Sequence, residues 1–230
     1  MNQEAIFKRE EGDRWYLRNQ NVLVDGSRAI HDPVLELIRG LKKKPKHVLE
    51  AGCSNGWRLA ELDRLLHCRC FGVDVSRKAI TDGRRIWPRL KLKHAPLSHL
   101  PFDDAAFDLI IAPFVLHWVD RSLLFRSLAE LDRVLVPGGH LIISDFLPDE
   151  PEKVSYHHRP EDDVFTYVQD YAGLMSTSAL YRTQKRIMFD GTDPAHRKAI
   201  NTFHRACATL LTKNETYRTV RYQPSVIRHT

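Results

Sequence analysis

The feature that most constrains the fold of this chain is a regular alternation of short apolar runs and amphipathic segments over residues 46–146. Apolar runs of strand length occur at residues 46–50, 70–73, 90–93, 107–112 and 140–144. Leucines at helical spacing fill residues 58–67 and the segment that follows Asp120, and Ser76 is placed to cap a further helix. Strands that alternate with helices predict right-handed parallel crossovers and a sheet covered by helices on both faces.

The flanks of this region carry other patterns. A helix is predicted to begin at Asp32, with Pro33 in its first turn, and to end in the lysine run before Pro45. The pattern after residue 146 predicts a loop, a helix, a strand, a helix and a final strand, at residues 147–163, 164–174, 180–189, 194–211 and 216–223. A length of 230 residues and an apolar fraction of 43% fit one α/β domain with a small capping insertion.

The net charge of the chain is concentrated at its C-terminal end. Residues 196–230 hold seven Lys or Arg and one acid, so their excess of +6 equals the net charge of the whole chain. Such a localised excess predicts either an anionic partner or a solvated basic surface.

Three features that the sequence lacks limit the class of protein to be expected. No apolar run reaches the ~18 residues that a membrane span needs, and the polar N-terminus is not typical of a signal peptide. The four cysteines match neither a zinc pattern nor a disulfide framework. We therefore expect a cytoplasmic protein with reduced thiols, no membrane span and no metal.

A glycine-rich turn follows the first strand of the alternating region. Residues 48–56 (Val-Leu-Glu-Ala-Gly-Cys-Ser-Asn-Gly) end a strand in Glu50 and open a helix after Gly52. Glycine can adopt the backbone angles of a tight turn, and a helix N-terminus directs backbone amides at a ligand. Asp74 ends the next strand, 22 residues after Gly52, where its carboxylate can accept hydrogen bonds from both hydroxyls of a ribose. Each feature alone also fits a turn or a helix cap, whereas together they predict a nucleotide site.

Three further segments resemble one enzyme family. They are residues 100–110 (Leu-Pro-Phe-Asp-Asp-Ala-Ala-Phe-Asp-Leu-Ile), 115–119 (Val-Leu-His-Trp-Val) and 133–139 (Arg-Val-Leu-Val-Pro-Gly-Gly). In this order and spacing they resemble the class I S-adenosylmethionine-dependent methyltransferases. The resemblance implies a Rossmann-like doubly wound seven-stranded sheet, mostly parallel with an antiparallel last strand, plus N-terminal helices and a small capping insertion. The single domain would comprise an N-terminal helical cap, a cofactor-binding core, a substrate-side insertion and C-terminal strands with a helix, at residues 1–45, 46–146, 147–178 and 179–230.

The resemblance also implies a cofactor, S-adenosyl-L-methionine, which leaves as S-adenosyl-L-homocysteine. The residues implied to line its methionine end are Glu50, Gly52, Cys53 and Ser54. Asp74 is implied at the ribose and Val75 and Leu97 at the adenine, whereas Pro113 and Phe114 are implied to close over the cofactor. Many relatives carry an aspartate at the adenine where this chain has His94 or Pro96. Backbone groups or Ser98 would have to bind the adenine instead.

The flanks resemble a narrower group, the methyltransferases of surface-polysaccharide and modified-sugar pathways. The similarity lies in residues 11–19 (Glu-Gly-Asp-Arg-Trp-Tyr-Leu-Arg-Asn), 156–158 and 170–171, and it implies a saccharide or nucleotide-sugar substrate. Within the first segment, Tyr16 could cover the cofactor and Arg18 could pair with its carboxylate. The alternative is an amphipathic helix that packs on the sheet.

The acceptor side of the predicted site contains several histidines and aromatic residues. Methyl transfer needs an aligned acceptor, and a hydroxyl acceptor can also need a base. The candidate base is His157 or His158, because an imidazole titrates near neutral pH, and Asp145 is a further catalytic candidate. The alternative is that both histidines are surface residues. The residues expected to contact the acceptor are His117, Trp118, Phe146 and Tyr171.

Three functions stay open from the sequence. The favoured one is methyl transfer to a small acceptor that is anionic or sugar-like. Basic and aromatic residues on the last two predicted strands could bind the diphosphate of a nucleotide-sugar or an RNA strand, or could simply face solvent. A net charge of +6 is modest for an RNA-binding protein. The unusual Pro96 leaves a cofactor-binding scaffold without catalytic activity as the third alternative.

Overall fold

The computed structural model describes residues 3–23, 28–198, 200–202 and 204–215. The strands of these residues are β1 (His47–Ala51), β2 (Arg69–Asp74), β3 (Lys91–His94), β4 (Phe107–Pro113), β5 (Leu135–Phe146), β6 (Glu152–Ser155), β7 (Phe165–Val168), β8 (Tyr181–Asp190) and β9 (Arg205–Lys213). Seven of them form one sheet in the order β3-β2-β1-β4-β5-β9-β8, and β6 pairs with β7 in a small separate sheet.

The large sheet has the topology that the sequence resemblance implies. The neighbouring strands from β3 to β5 are all parallel, whereas β9 runs antiparallel to both β5 and β8. Each strand predicted between residues 46 and 146 overlaps an observed strand. The prediction of a mostly parallel seven-stranded sheet with an antiparallel last strand is therefore confirmed.

The helices of the described residues are α1 (Gln3–Ile6), α2 (Gly12–Leu23), α3 (Arg28–His31), α4 (Pro33–Arg39), α5 (Trp57–Leu66), α6 (Arg77–Ile86), α7 (Leu124–Val134) and α8 (Tyr171–Thr177). A π-helical turn over Phe7–Glu11 joins α1 to α2. None of these helices is long and apolar enough to cross a membrane.

Two predicted helix starts are confirmed, and each has a side-chain cap. Asp32 accepts a hydrogen bond from the backbone N–H of Leu35 at the start of α4, and Ser76 accepts one from Ala79 at the start of α6. A side-chain oxygen at this position satisfies an N–H that has no partner within the helix. The end of α4 differs from the prediction, because it lies at Gly40 and not in the lysine run that follows.

Helices cover both faces of the large sheet, as predicted. Successive residues of a strand point to opposite faces, so Ile110 and Ile111 of β4 lie in different hydrophobic clusters. Ile110 shares its cluster with Leu131 of α7, and Ile111 shares the other with Leu59 of α5. All four side chains are fully buried, and each contributes about 1.5–3 kcal/mol relative to an exposed side chain.

The C-terminal third corrects several predictions. The helix predicted at residues 194–211 is wrong, because β9 occupies Arg205–Lys213. Residues 206–211 are all buried, and such a mostly apolar run fits a strand covered on both faces as well as a helix. The helix predicted at 164–174 is replaced by β7 and α8, and the loop predicted at 147–163 contains β6. The strand predicted at 216–223 lies outside the described residues.

Gly83 in α6 is in close contact with the glycine-rich turn. A Cβ atom at this position would lie 2.4 Å from the backbone oxygen of Asn55 and 2.5 Å from a methyl carbon of Leu92. We expect Gly83→Ala to lower the free energy of unfolding by about 1–3 kcal/mol in urea denaturation, although alanine favours helix more than glycine does. Lys78→Ala, at an exposed position of the same helix, is the control. A Gly83→Ala variant more stable than the wild type would contradict this packing.

Candidate active site

A cavity of about 790 Å³ opens at the carboxyl ends of the parallel strands. Glu50 of β1, Asp74 of β2, Pro113 of β4 and Phe146 of β5 all line it, and Trp15 of α2 contributes to its wall. The cavity lies where the strand order reverses between β1 and β4. This switch point is where open α/β sheets bind their ligands.

The glycine-rich turn after β1 leads directly into α5. Gly52 has a φ of +75°, and a Cβ atom there would lie 2.6 Å from a methyl carbon of Val115. Its N–H donates to the carbonyl oxygen of Val73 at 2.8 Å, so the turn is held against β2. Both the backbone angles and the close contact require glycine at this position.

Asp74 holds the same turn from the end of β2. One carboxylate oxygen accepts from the N–H of Ser54 and the other from the N–H of Ser76, each at 2.8 Å. Burial raises the pKa of Asp74 above its usual value, and the two backbone hydrogen bonds oppose that rise. Each oxygen of an ionised carboxylate can accept more than one hydrogen bond, so Asp74 can still accept from a ligand.

Glu50 is almost completely buried at the floor of the cavity, with an exposed fraction of 1%. Its Oε1 accepts from the guanidinium of Arg58, and its Oε2 has no partner among the described residues. The hydroxyl oxygen of Ser54, in the adjacent turn, is also buried without a partner. A buried polar atom without a hydrogen bond is costly, so these two atoms indicate a polar ligand that supplies the missing donors.

A histidine–aspartate pair lies in the wall after β4 and β5. His117 Nδ1 is 2.7 Å from Asp145 Oδ1, and the side chains of both residues are 3% exposed. The N–H of Phe146 also donates to Asp145 Oδ1, at 2.8 Å, which fixes the carboxylate. The His117 ring lies edge-on to Trp118 and Phe146, with centroid distances of 4.4 and 5.1 Å. Because Nδ1 is engaged, Nε2 is the ring nitrogen left for a ligand.

Most of the residues predicted for the site line this one cavity. They are Glu50, Gly52, Cys53, Ser54, Asp74, Val75, Leu97, Pro113, Phe114, His117, Trp118, Phe146 and His157. The predicted residues that do not line it are Tyr16, Arg18, Asp145, His158 and Tyr171. Of these, Asp145 contacts the site through His117.

Three of the predicted residues that lie outside the cavity, Tyr16, Arg18 and Tyr171, form hydrogen bonds with other parts of the protein. The Tyr16 hydroxyl donates to Asp82 at 2.9 Å, and Arg18 Nη2 lies 2.5 Å from Glu11 and 2.9 Å from the Tyr156 hydroxyl oxygen. These contacts pack α2 against α6 and against the segment after β6, whereas the alternative stated above had this helix pack on the sheet. Tyr171 is buried, and its hydroxyl donates to the backbone oxygen of Tyr167.

The basic residues of the late strands lie outside the cavity. Arg182, Lys185 and Arg186 are exposed on β8, the edge strand of the sheet, and Arg186 pairs with Asp170 at 2.7 Å. The second basic segment of that prediction, at 216–223, is not among the described residues.

Several cavity residues were missed from the sequence. Asp32 was assigned only to the start of a helix and Arg58 only to a helical segment, yet both line the cavity and form an ion pair. The turn after β8, at residues 191–195, forms another wall. Arg58 lies two residues after the glycine-rich turn, on the first turn of α5, and this position is the signal that could have identified it.

Residues 49–143 match the family described as Methyltransferase domain. Phthiotriol/phenolphthiotriol dimycocerosates methyltransferase 1 of Mycobacterium ulcerans is 31% identical over 131 residues, which cover 56% of this chain and 43% of that protein. Malonyl-[acyl-carrier protein] O-methyltransferase of Legionella pneumophila is 32% identical over 130 residues, which cover 53% of this chain and 44% of that protein. The chain thus spans less than half the length of these curated relatives.

The fold is shared with a solved methyltransferase. The crystal structure of Burkholderia thailandensis 1,6-didemethyltoxoflavin-N1-methyltransferase, with bound 1,6-didemethyltoxoflavin and S-adenosylhomocysteine, has a TM-score of 0.70 and 19% sequence identity. The match covers 91% of this chain and 88% of that one. Residues 49–143 therefore match a methyltransferase domain, and the named relatives and the shared fold support a class I S-adenosyl-L-methionine-dependent methyltransferase.

Proposed function

We propose that this chain transfers a methyl group from S-adenosyl-L-methionine to a hydroxyl oxygen of a small, sugar-type acceptor. The observation that carries the proposal is that one cavity contains both the glycine-rich turn with Asp74 and a buried histidine held by a carboxylate. The first part suits a nucleoside, and the second suits removal of a proton from an acceptor.

The residues present fit the cofactor. Glu50 Oε2 is a buried carboxylate oxygen without a donor, as expected where the α-ammonium group of the methionine moiety binds. Gly52, Cys53 and Ser54 would line the same end, and Asp74 would accept from the ribose hydroxyls. When bound, the cofactor supplies a methyl group already activated by a sulfonium. The protein therefore contributes alignment and exclusion of water.

The adenine end would be bordered by Val75, Leu97, Pro113 and Phe114, which line the cavity. The Ser98 hydroxyl, one of two candidates for the adenine contact, instead donates to Glu4 of α1 at 2.5 Å. His94 is also engaged, because its Nε2 lies 3.0 Å from the backbone oxygen of Val75. These contacts support the other candidate, recognition of adenine by backbone groups.

His117 is the base that this geometry supports. Asp145 orients the imidazole through Nδ1, so Nε2 can accept the proton of the acceptor hydroxyl while its oxygen bonds to the methyl carbon. Asp145 acts through His117 and is a positioning residue. His157 lines the cavity from an exposed position and is the second candidate, whereas His158 does not line it.

The lining supports an uncharged acceptor. Aromatic rings of Trp118, Tyr156 and Phe146 contribute to the acceptor side, and such rings pack against the apolar faces of sugars. Arg58 is the one arginine or lysine among the described residues of the lining, and it is already paired with two carboxylates. The described cavity therefore favours a neutral saccharide over the anionic nucleotide-sugar that the sequence suggested.

A transfer assay with methyl-labelled S-adenosylmethionine tests this proposal. The panel contains neutral mono- and oligosaccharides, the matching nucleotide-sugars, and bulk RNA. We expect labelled product with a neutral saccharide. Transfer only to nucleotide-sugars would contradict the uncharged acceptor, and transfer only to RNA would contradict a small-molecule acceptor. Cofactor binding without transfer to any acceptor would support a scaffold.

A further inference from the structure

A buried ion triad links the N-terminal cap to the cofactor end of the cavity. Asp32 caps α4 with Oδ1, which accepts from Leu35 N at 2.9 Å, while its Oδ2 accepts from Arg58 Nε at 3.1 Å and from Nη2 at 3.0 Å. Arg58 Nη1 donates to Glu50. The side chains of Asp32, Arg58 and Glu50 are 7%, 12% and 1% exposed, so water screens these charges poorly.

Arg58 is held on three sides. Asp32 binds its Nε edge, Glu50 binds Nη1, and the Trp57 ring lies 4.4 Å from the guanidinium carbon. A planar guanidinium in such a frame has a fixed orientation, unlike a flexible ammonium group. The carboxylate of Glu50 is consequently fixed as well, with one oxygen engaged and the other left without a protein partner.

We propose that Arg58, oriented by Asp32, is a positioning residue that holds Glu50 ready to bind the α-ammonium group of the cofactor. This inference rests on the proposed function. It explains why a buried arginine is paired with two acids directly beneath the glycine-rich turn. Residues 31–34 line the cavity from the N-terminal cap, and the inference assigns this segment a role in the cofactor site.

The charges around Glu50 predict a measurable consequence. Burial raises the pKa of Glu50, Arg58 opposes the rise, and Asp32 and Asp74 add to it, so that the resulting pKa is about 7 with Arg58 in place. The thiols of Cys53 and Cys70 also interact with Glu50. Without Arg58 the carboxyl would be protonated at neutral pH. Binding of an ammonium group would then have to displace that proton, and affinity would rise with pH over a higher range than in the wild type.

Calorimetry with S-adenosylhomocysteine between about pH 6 and 9, in two buffers of different ionisation enthalpy, tests the inference. We expect Arg58→Gln to weaken binding about tenfold at pH 7, to shift the rise of affinity to higher pH and to increase proton release on binding. Arg58→Lys should recover part of the loss, because it restores the charge without the planar frame. Arg64→Gln, on the same helix in an exposed pair with Glu61, is the matched control.

Asp32→Asn keeps a capping oxygen but removes the charge that orients Arg58. It therefore tests the inference even if Arg58→Gln does not fold. We expect it to weaken binding in the same direction, with unchanged circular dichroism. Wild-type affinity and pH dependence in folded Arg58→Gln or Asp32→Asn would overturn the inference while the proposed function stands. Absence of binding by the wild-type protein would overturn both.

Discussion

Asp74→Asn is expected to weaken binding of S-adenosylhomocysteine by at least a factor of ten, a loss of ~1.4 kcal/mol or more. The carboxylate accepts from two backbone N–H groups, of Ser54 and Ser76, and it would also accept from the ribose. An amide replaces one acceptor oxygen with an NH2 group, which cannot accept from an N–H. The turn would therefore lose one of its two anchors to β2 at the same time as the ligand loses an acceptor. Titration calorimetry measures the effect.

Asp104→Asn is the matched control for this variant. Its side chain is 80% exposed, and it pairs with Arg133 away from the cavity. Surface pairs of this kind contribute little, so binding should equal that of the wild type. If folded Asp74→Asn bound S-adenosylhomocysteine as tightly as Asp104→Asn, the assignment of Asp74 to the ribose would be wrong.

His117→Asn is expected to lower kcat on a saccharide acceptor by about 10²-fold or more while the affinity for S-adenosylhomocysteine stays unchanged. Asparagine cannot take a proton from the acceptor, and the cofactor residues lie in other segments of the wall. Asp145→Asn should act in the same direction, because a neutral amide stabilises the protonated imidazole less than a carboxylate does and can turn its NH2 group toward Nδ1, which selects the wrong tautomer. A pH profile of kcat that flattens in both variants would separate loss of a base from loss of packing.

His157→Asn is the matched control, because it removes another histidine of the cavity lining. It should retain most of the wild-type kcat. The opposite pattern, with His157→Asn inactive and His117→Asn active, would assign the base to the exposed histidine. Nitrogen NMR of the S-adenosylhomocysteine complex gives a test that needs no acceptor. We expect the neutral His117 ring to carry its proton on Nδ1, and a proton on Nε2 would exclude it as a base.

Local patterns sufficed to predict the glycine-rich turn and the strand ends that line the cavity. The caps at Asp32 and Ser76 depend on one side chain and the next turn, so the sequence contains all the information they need. The glycine-rich turn and Asp74 lie at the ends of adjacent parallel strands, and the sheet topology alone brings them together. The residues predicted at these strand ends consequently line one cavity, whereas Tyr16 and Arg18, predicted from the N-terminal segment, do not.

Contacts between distant segments could not be predicted in the same way. His117 and Asp145 are 28 residues apart, and Arg58 and Asp32 are 26 apart, so their pairing depends on the packing of separate elements. Arg18 illustrates the reverse case. Its place in the segment at residues 11–19 suggested a contact with the cofactor carboxylate, yet in the fold its guanidinium donates to Glu11 and to the Tyr156 hydroxyl. The wrong prediction of a helix where β9 lies has a simpler cause. Burial on both faces removes the alternation of apolar and polar residues that identifies a strand.

The most direct test of the account is calorimetric binding of S-adenosylmethionine and S-adenosylhomocysteine to the purified wild-type protein. We predict micromolar affinity for both ligands with one site per chain, and a clear loss in Glu50→Gln as well as in Asp74→Asn. Absence of detectable binding to the folded wild-type protein would contradict the assignment of the cavity to this cofactor.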